Sequence, residues 1–204
     1  MDFRLDPKNT ALLVIDMQNG FCHEDSAMGQ SVGVEPQQSI VPRISEVIEL
    51  CRQKQLPLFF SQQVHFSEDQ TRLRKKLPTH FKKQTFVPCL QGTFEVDFYE
   101  PIARLVREDD HIISKHRASV FYDTNLLTRL RMLGIETLIV TGCNTEFCVA
   151  HSVRDAYAWD FELIVLSDAV AGIKEEHHRN CLKLFSDYFA IVMESSTLRN
   201  SFER

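Results

Sequence analysis

Apolar runs of strand length alternate with amphipathic stripes along this chain. Residues 11–15 (Ala-Leu-Leu-Val-Ile) form the first run, which stops at Asp16. Ile40, Ile44, Val47, Ile48 and Cys51 then recur at helical spacing through residues 40–54. Further strands are predicted at 56–64, 111–114, 137–141, 161–166 and 189–193. Further helices are predicted at 101–107, at 124–133 with Gly134 as its C-cap, after Cys148, and at 174–187. Strands that are apolar nearly throughout need cover on both faces, and intervening helices supply it. The expected fold class is therefore α/β, with a mainly parallel six-stranded sheet in a single domain spanning 1–204. Residues 66–100 break the pattern. Pro78, Pro88 and Gly92 punctuate them, and Pro101 follows. This stretch reads as irregular, a variable loop or lid.

Composition narrows the class. The 204 residues are 44% hydrophobic, enough for a sizeable core, and a net charge of −5 argues against nucleic acid as the main partner. No apolar stretch is long enough to span a bilayer, and the charged first residues lack a secretory apolar region. Six cysteines at 22, 51, 89, 143, 148 and 181 show no CxxC pair, so reduced thiols and a cytoplasmic location are expected. Residues 72–83 are strongly basic. They read as a solvated surface or, more sharply, as a subunit contact or a site for an acidic group.

Ligands of parallel sheets bind at the carboxyl ends of the strands. Asp16 ends the first strand, Lys115 ends the third, and Cys148 follows the fourth through Thr141-Gly-Cys-Asn-Thr-Glu-Phe-Cys148. A cysteine at the start of a helix feels the positive end of the dipole, which predicts a lowered thiol pKa. The three residue types make a coherent mechanism, with Cys148 as nucleophile, Asp16 as the base that moves its proton, and Lys115 as a cation beside both. Backbone N–H groups of the turn 144–148 can form an oxyanion hole, and no histidine is required. Each residue also has a plainer reading alone: a turn aspartate, a solvated lysine, a small buried cysteine. His177 and His178 read as solvated, and Cys89 and Cys143 as structural.

The motifs Val14-Ile-Asp16-Met-Gln-Asn-Gly-Phe21, Lys115-His-Arg-Ala-Ser-Val-Phe121 and Gly142-Cys-Asn-Thr145-Glu-Phe-Cys148-Val are similar to those of the isochorismatase-like cysteine hydrolases. Nicotinamidase, N-carbamoylsarcosine amidohydrolase, biuret hydrolase and ureidoacrylate amidohydrolase belong to that family. The resemblance implies a Rossmann-like three-layer α/β/α sandwich, a homodimer or homotetramer, and Asp16, Lys115 and Cys148 as catalytic triad. It also implies a non-proline cis peptide at Cys143–Asn144 and an oxyanion hole from the N–H groups of Asn144 and Cys148. Gln18, Phe21, His65, Arg117 and Phe121 would bind substrate, and residues 89–93 match a Gly-Thr loop near the active site.

Two departures shape the expected substrate. Isochorismatases that cleave a vinyl ether by acid catalysis often lack the cysteine, so Cys148 favours amide chemistry. Nicotinamidases carry Asp-x-His after the second strand to hold a metal, and here the matching residues are Gln63-Val-His65. Amide oxygen is a poor ligand for zinc or iron, so no metal and no cofactor are expected. The function expected is hydrolysis of a small-molecule amide or ureido C–N bond through a thioester. The alternatives are an isochorismatase-type vinyl ether hydrolase and a catalytically inactive binding or partner member.

Overall fold

A computed structural model of the protein describes residues 3–77 and 86–202. Six strands form one sheet: β1 Thr10–Ile15, β2 Leu58–Gln63, β3 His111–Lys115, β4 Thr137–Cys143, β5 Glu162–Ala171 and β6 Ile191–Met193. Their order is β3-β2-β1-β4-β5-β6, and every pairing is parallel. The chain runs outward from β1 to β3, then returns to β4 and runs outward the other way. The order therefore reverses between β1 and β4, the topological switch point where doubly wound sheets leave a crevice.

The period-2 alternation of each strand divides the core into two layers. Leu12 and Val14 of β1 face one cluster with Ile44, Val47, Ile48 and Cys51 of the helix Val41–Gln53. Ala11, Leu13 and Ile15 face the other, with Leu126, Leu130, Val153 and Phe185. Helices thus cover both faces, and the three-layer α/β/α sandwich is the observed architecture. The helices Leu126–Met132, Ala150–Ala158 and Glu175–Tyr188 lie close to their sequence-predicted positions. Gly134 adopts a φ of 67° after the first of them, as a left-handed C-cap requires.

Strand β5 runs on to Ala171, five residues past the predicted end. The extension pairs Val170 and Ala171 with Gly142 and Cys143 across a register shift, so Ser167 and Asp168 can interrupt the apolar pattern without ending the strand. The segment 66–100 is less irregular than its prolines suggest. It contains a helical turn at Gln70–Leu73 and a 3-10 turn at Phe94–Val96, and single bridges tie His65 to Leu90 and Gln18 to Phe98. Pro78 and residues 78–83 of the basic run lie outside the described residues. Among the described residues, no helix is long and apolar enough to cross a membrane.

Candidate active site

Strands β1 and β4 end side by side, with Ile15 opposite Gly142. Gly142 has a φ of 107°, and a Cβ there would lie 2.1 Å from the Ile15 carbonyl oxygen. Only glycine lets β4 pass this close to β1. Beyond it the Cys143–Asn144 peptide is cis, at the position the resemblance implies. A π-helical turn, Thr145–Val149, then leads into the helix Ala150–Ala158. Cys148 sits in that turn, 8% exposed.

The structure brings Asp16, Lys115 and Cys148 together. Lys115 starts two strands away on β3, and its four-carbon stem spans β2. Its Nζ lies 2.7 Å from Asp16 Oδ2 and donates to Cys148 Sγ at 3.4 Å, with both ion-pair side chains wholly buried. Two further acceptors hold the ammonium: Gln63 Oε1 at 2.7 Å and the Arg117 carbonyl at 3.2 Å. Asp16 is fixed from the other side by Ser61. The hydroxyl donates to Oδ1 at 2.5 Å and accepts the Asp16 backbone N–H at 3.1 Å. Oδ2 has no aligned hydrogen-bond donor apart from this ion contact. The thiol of Cys148 is the group placed to supply one.

These contacts correct one expectation. The helix-start argument predicts a lowered thiol pKa, whereas Cys148 is pushed up to about 12. Burial is the largest cause and the Asp16 carboxylate adds to it. Lys115 opposes both and is outweighed. Burial alone would lower Lys115, but Asp16 and Cys148 overcome that and raise it, so the ammonium persists. The resting site is a thiol beside a carboxylate–ammonium pair.

A cavity of about 110 Å³ opens above Cys148. Phe21, His65, Arg117 and Asn144 line it, together with Met28, Phe147 and Ile173, which the sequence did not single out. Gln18 and Phe121 are placed elsewhere. Gln18 is fully buried, and its amide accepts from Gln63 N at 2.7 Å and donates to Gln63 O and Val96 O at 3.0 and 2.7 Å. It clamps β2 to the 94–96 turn beneath the site. Phe121 packs in the core cluster beside Phe161. Cys89 and Cys143 are fully buried and their thiols are pushed up by desolvation. His178 is half-buried and meets Thr145 Oγ1 at 2.9 Å, so it braces the turn that carries Cys148 instead of facing solvent. Gln37 was also missed: its amide donates to Asn144 Oδ1 at 2.7 Å and steadies the residue before that turn.

The donor set does not fit a metal. Gln63 stands where a carboxylate ligand would be needed, and its oxygen is taken by Lys115. His65 donates Nδ1–H to the Pro88 carbonyl at 2.6 Å, and burial lowers its pKa to about 4, so it is neutral. Among the described residues, no three His, Cys, Asp or Glu side chains gather in a metal-holding group.

Known proteins resemble this chain in sequence and fold. Residues 10–197 match the Isochorismatase domain. A probable inactive nicotinamidase of Arabidopsis thaliana is 34% identical over 84% of this chain and 85% of its own length. N-carbamoylsarcosine amidase from Arthrobacter sp. is 28% identical over 80% of this chain and 61% of its own length. An isochorismatase-like hydrolase from Alkaliphilus metalliredigens superposes with a TM-score of 0.81 at 28% identity, covering 95% of this chain and 98% of that one. With the matched domain running from β1 into the helical turn Ser195–Leu198, the chain belongs to the isochorismatase family.

Proposed function

We propose that the protein is a cysteine-dependent hydrolase that cleaves the C–N bond of a small carboxamide or ureido compound. One observation carries this reading: Lys115 Nζ bridges the Asp16 carboxylate and the sulfur of Cys148, which lines a cavity. The names of the relatives, among them a ureidoacrylate amidohydrolase of Methylobacterium radiotolerans, support the substrate class.

Asp16 takes the thiol proton as Cys148 attacks the carbonyl carbon. The site passes from carboxylate, ammonium and thiol to carboxyl, ammonium and thiolate, so its net charge does not change. A thiol pKa of about 12 is then no obstacle, because the proton moves within the buried site and never leaves for solvent. The N–H groups of Asn144 and Cys148 receive the oxyanion. Asp16 returns the proton to the departing nitrogen and ammonia or an amine leaves. Asp16 then activates the water that hydrolyses the thioester. Lys115 stays protonated throughout and holds Asp16 in place. His65 takes no part in proton transfer.

The test is a panel of small amides and ureas assayed for ammonia, with hydroxylamine added to any that turn over. A thioester is intercepted by hydroxylamine, so the acyl product appears as a hydroxamate while ammonia continues to form. Ammonia release with no hydroxamate at saturating hydroxylamine would contradict the covalent route. Cleavage of isochorismate with silence on the whole panel would favour the vinyl ether reading.

A further inference from the structure

Three consecutive residues of the turn before Cys148 are tied to one segment far along the chain, 172–178. Asn144 reaches it through Gln37, whose amide donates to Asn144 Oδ1 at 2.7 Å and to the Gly172 carbonyl at 3.3 Å. Thr145 Oγ1 meets His178 Nδ1 at 2.9 Å. Glu146 makes the third tie. Its Oε1 accepts the Ile173 N–H at 2.9 Å and the Lys174 N–H at 3.3 Å. Those groups stand at the entry of the helix Glu175–Tyr188, where Lys174 makes no side-chain cap. N–H groups at a helix entry lack intrahelical acceptors, and the positive end of the dipole favours a carboxylate. Glu146 thus caps a helix to which it does not belong. Gly172 makes the approach possible: a Cβ there would lie 2.5 Å from Glu146 Oε2 and 3.0 Å from His178 Cβ.

We propose that Glu146 is a positioning residue of the hydrolase, holding the Cys148 turn and the Ile173 wall of the cavity in one register. This rests on the proposed function and adds a residue that does not line the cavity. Glu146 stands two residues before Cys148, and its partner Ile173 lines the space the substrate would fill. The turn between them is π-helical, a rare conformation that occurs mostly as single turns, so contacts from outside must hold it. The Cys148 sulfur has to stay within reach of Lys115 and Asp16. A thiol this hard to ionise depends on proton transfer inside the site, and a shift of the turn leaves it inert. All of the bonding runs through Glu146 Oε1, while Oε2 is buried with no hydrogen-bond partner among the described residues. An amide can therefore replace the acceptor. A methyl group cannot, and an aspartate is one methylene short.

Alkylation of Cys148 by iodoacetamide, followed by peptide mass spectrometry, reads the turn without a substrate. Glu146→Ala should slow it tenfold or more, with the fully buried Cys51 still unlabelled. Glu146→Gln should recover most of the rate and Glu146→Asp little of it. A merely structural loss opens the fold, so it would speed labelling at Cys148 and Cys51 alike. That acceleration, an unchanged Cys148 rate in Glu146→Ala, or equal losses in Glu146→Gln and Glu146→Ala would overturn the proposal. Should Glu146→Ala fail to fold, Glu146→Gln reacting faster than Glu146→Asp supports it, and the two reacting alike overturns it. Ammonia release from a small amide that the parent protein turns over separates this result from the parent reading. Glu146→Ala should lower kcat and raise KM together, because the sulfur and the cavity wall both shift, and Glu146→Gln should restore both. Slower alkylation with no ammonia from any amide would sustain the clamp and remove the hydrolase. Ammonia release indifferent to Glu146→Ala would keep the hydrolase and remove the clamp.

Discussion

Ser61→Ala removes the hydroxyl that both donates to Asp16 Oδ1 and accepts its N–H. A buried carboxylate that loses such a partner costs about 1–3 kcal/mol, and Asp16 would also lose its orientation toward Cys148. The expected outcome is a lower melting temperature together with a fall in kcat larger than any change in KM, read from paired thermal and kinetic measurements. Lys115→Met acts on the same carboxylate by charge. It leaves Asp16 buried without its cation, which typically costs about 3–5 kcal/mol, and urea titration should show that loss. Asp16, Lys115 and Cys148 were legible in the sequence because each follows an apolar run whose end is easy to place. Ser61 and Gln37 were not, and Gln63 was singled out only as the place of a missing ligand, not as a partner of Lys115. These are uncharged polar residues, and only the packing of β2 and the 35–39 turn against the site gives them partners. The lowered thiol pKa failed for a related reason: a dipole argument sees the helix start but not the burial or the carboxylate next to it.

Strand β4 and the turn after it set the geometry of Cys148. Gly142 has a left-handed φ and no room for a Cβ against Ile15. Gly142→Ala must therefore either push β4 away from β1 or strain the backbone. A loss of several kcal/mol is expected, at the upper end of single-site effects, with activity lost at any temperature where the fold survives. An unchanged melting temperature would contradict the close packing of these two strands. The sheet itself was legible because strands buried on both faces are written as continuous apolar runs. The extension of β5 to Ala171 was hidden by Ser167 and Asp168, and the turns at 70–73 and 94–96 by the prolines and glycine around them. Gln18 and Phe121 show the limit of motif matching. Both belong to the motifs that carry Asp16 and Lys115, yet one clamps β2 and the other fills the core.

Across the whole molecule, stability should fall on both sides of neutrality. His65 has a folded pKa of about 4, below its unfolded value near 6.5. Its neutral form is favoured by folding, so that contribution is present above pH 6.5 and is lost as pH falls from 6.5 to 4, on the order of 3 kcal/mol in all. His65→Gln should flatten this acid limb in chemical denaturation. Buried thiols act in the opposite direction. Cys51 and Cys148 are raised to about 12, and Cys89 and Cys143 are raised as well, chiefly by burial. The unfolded chain ionises these thiols near pH 8.5 while the folded one does not, so each removes about 1.4 kcal/mol per pH unit above that point. The same burial that makes the thiols costly to ionise makes the hydrolase reading depend on proton transfer inside the site. The most direct measurement is therefore the rate of ammonia release by Cys148→Ala on a substrate the parent protein turns over. A fall of about a thousandfold or more is expected for loss of a nucleophile. A variant within tenfold of the parent would contradict catalysis by Cys148.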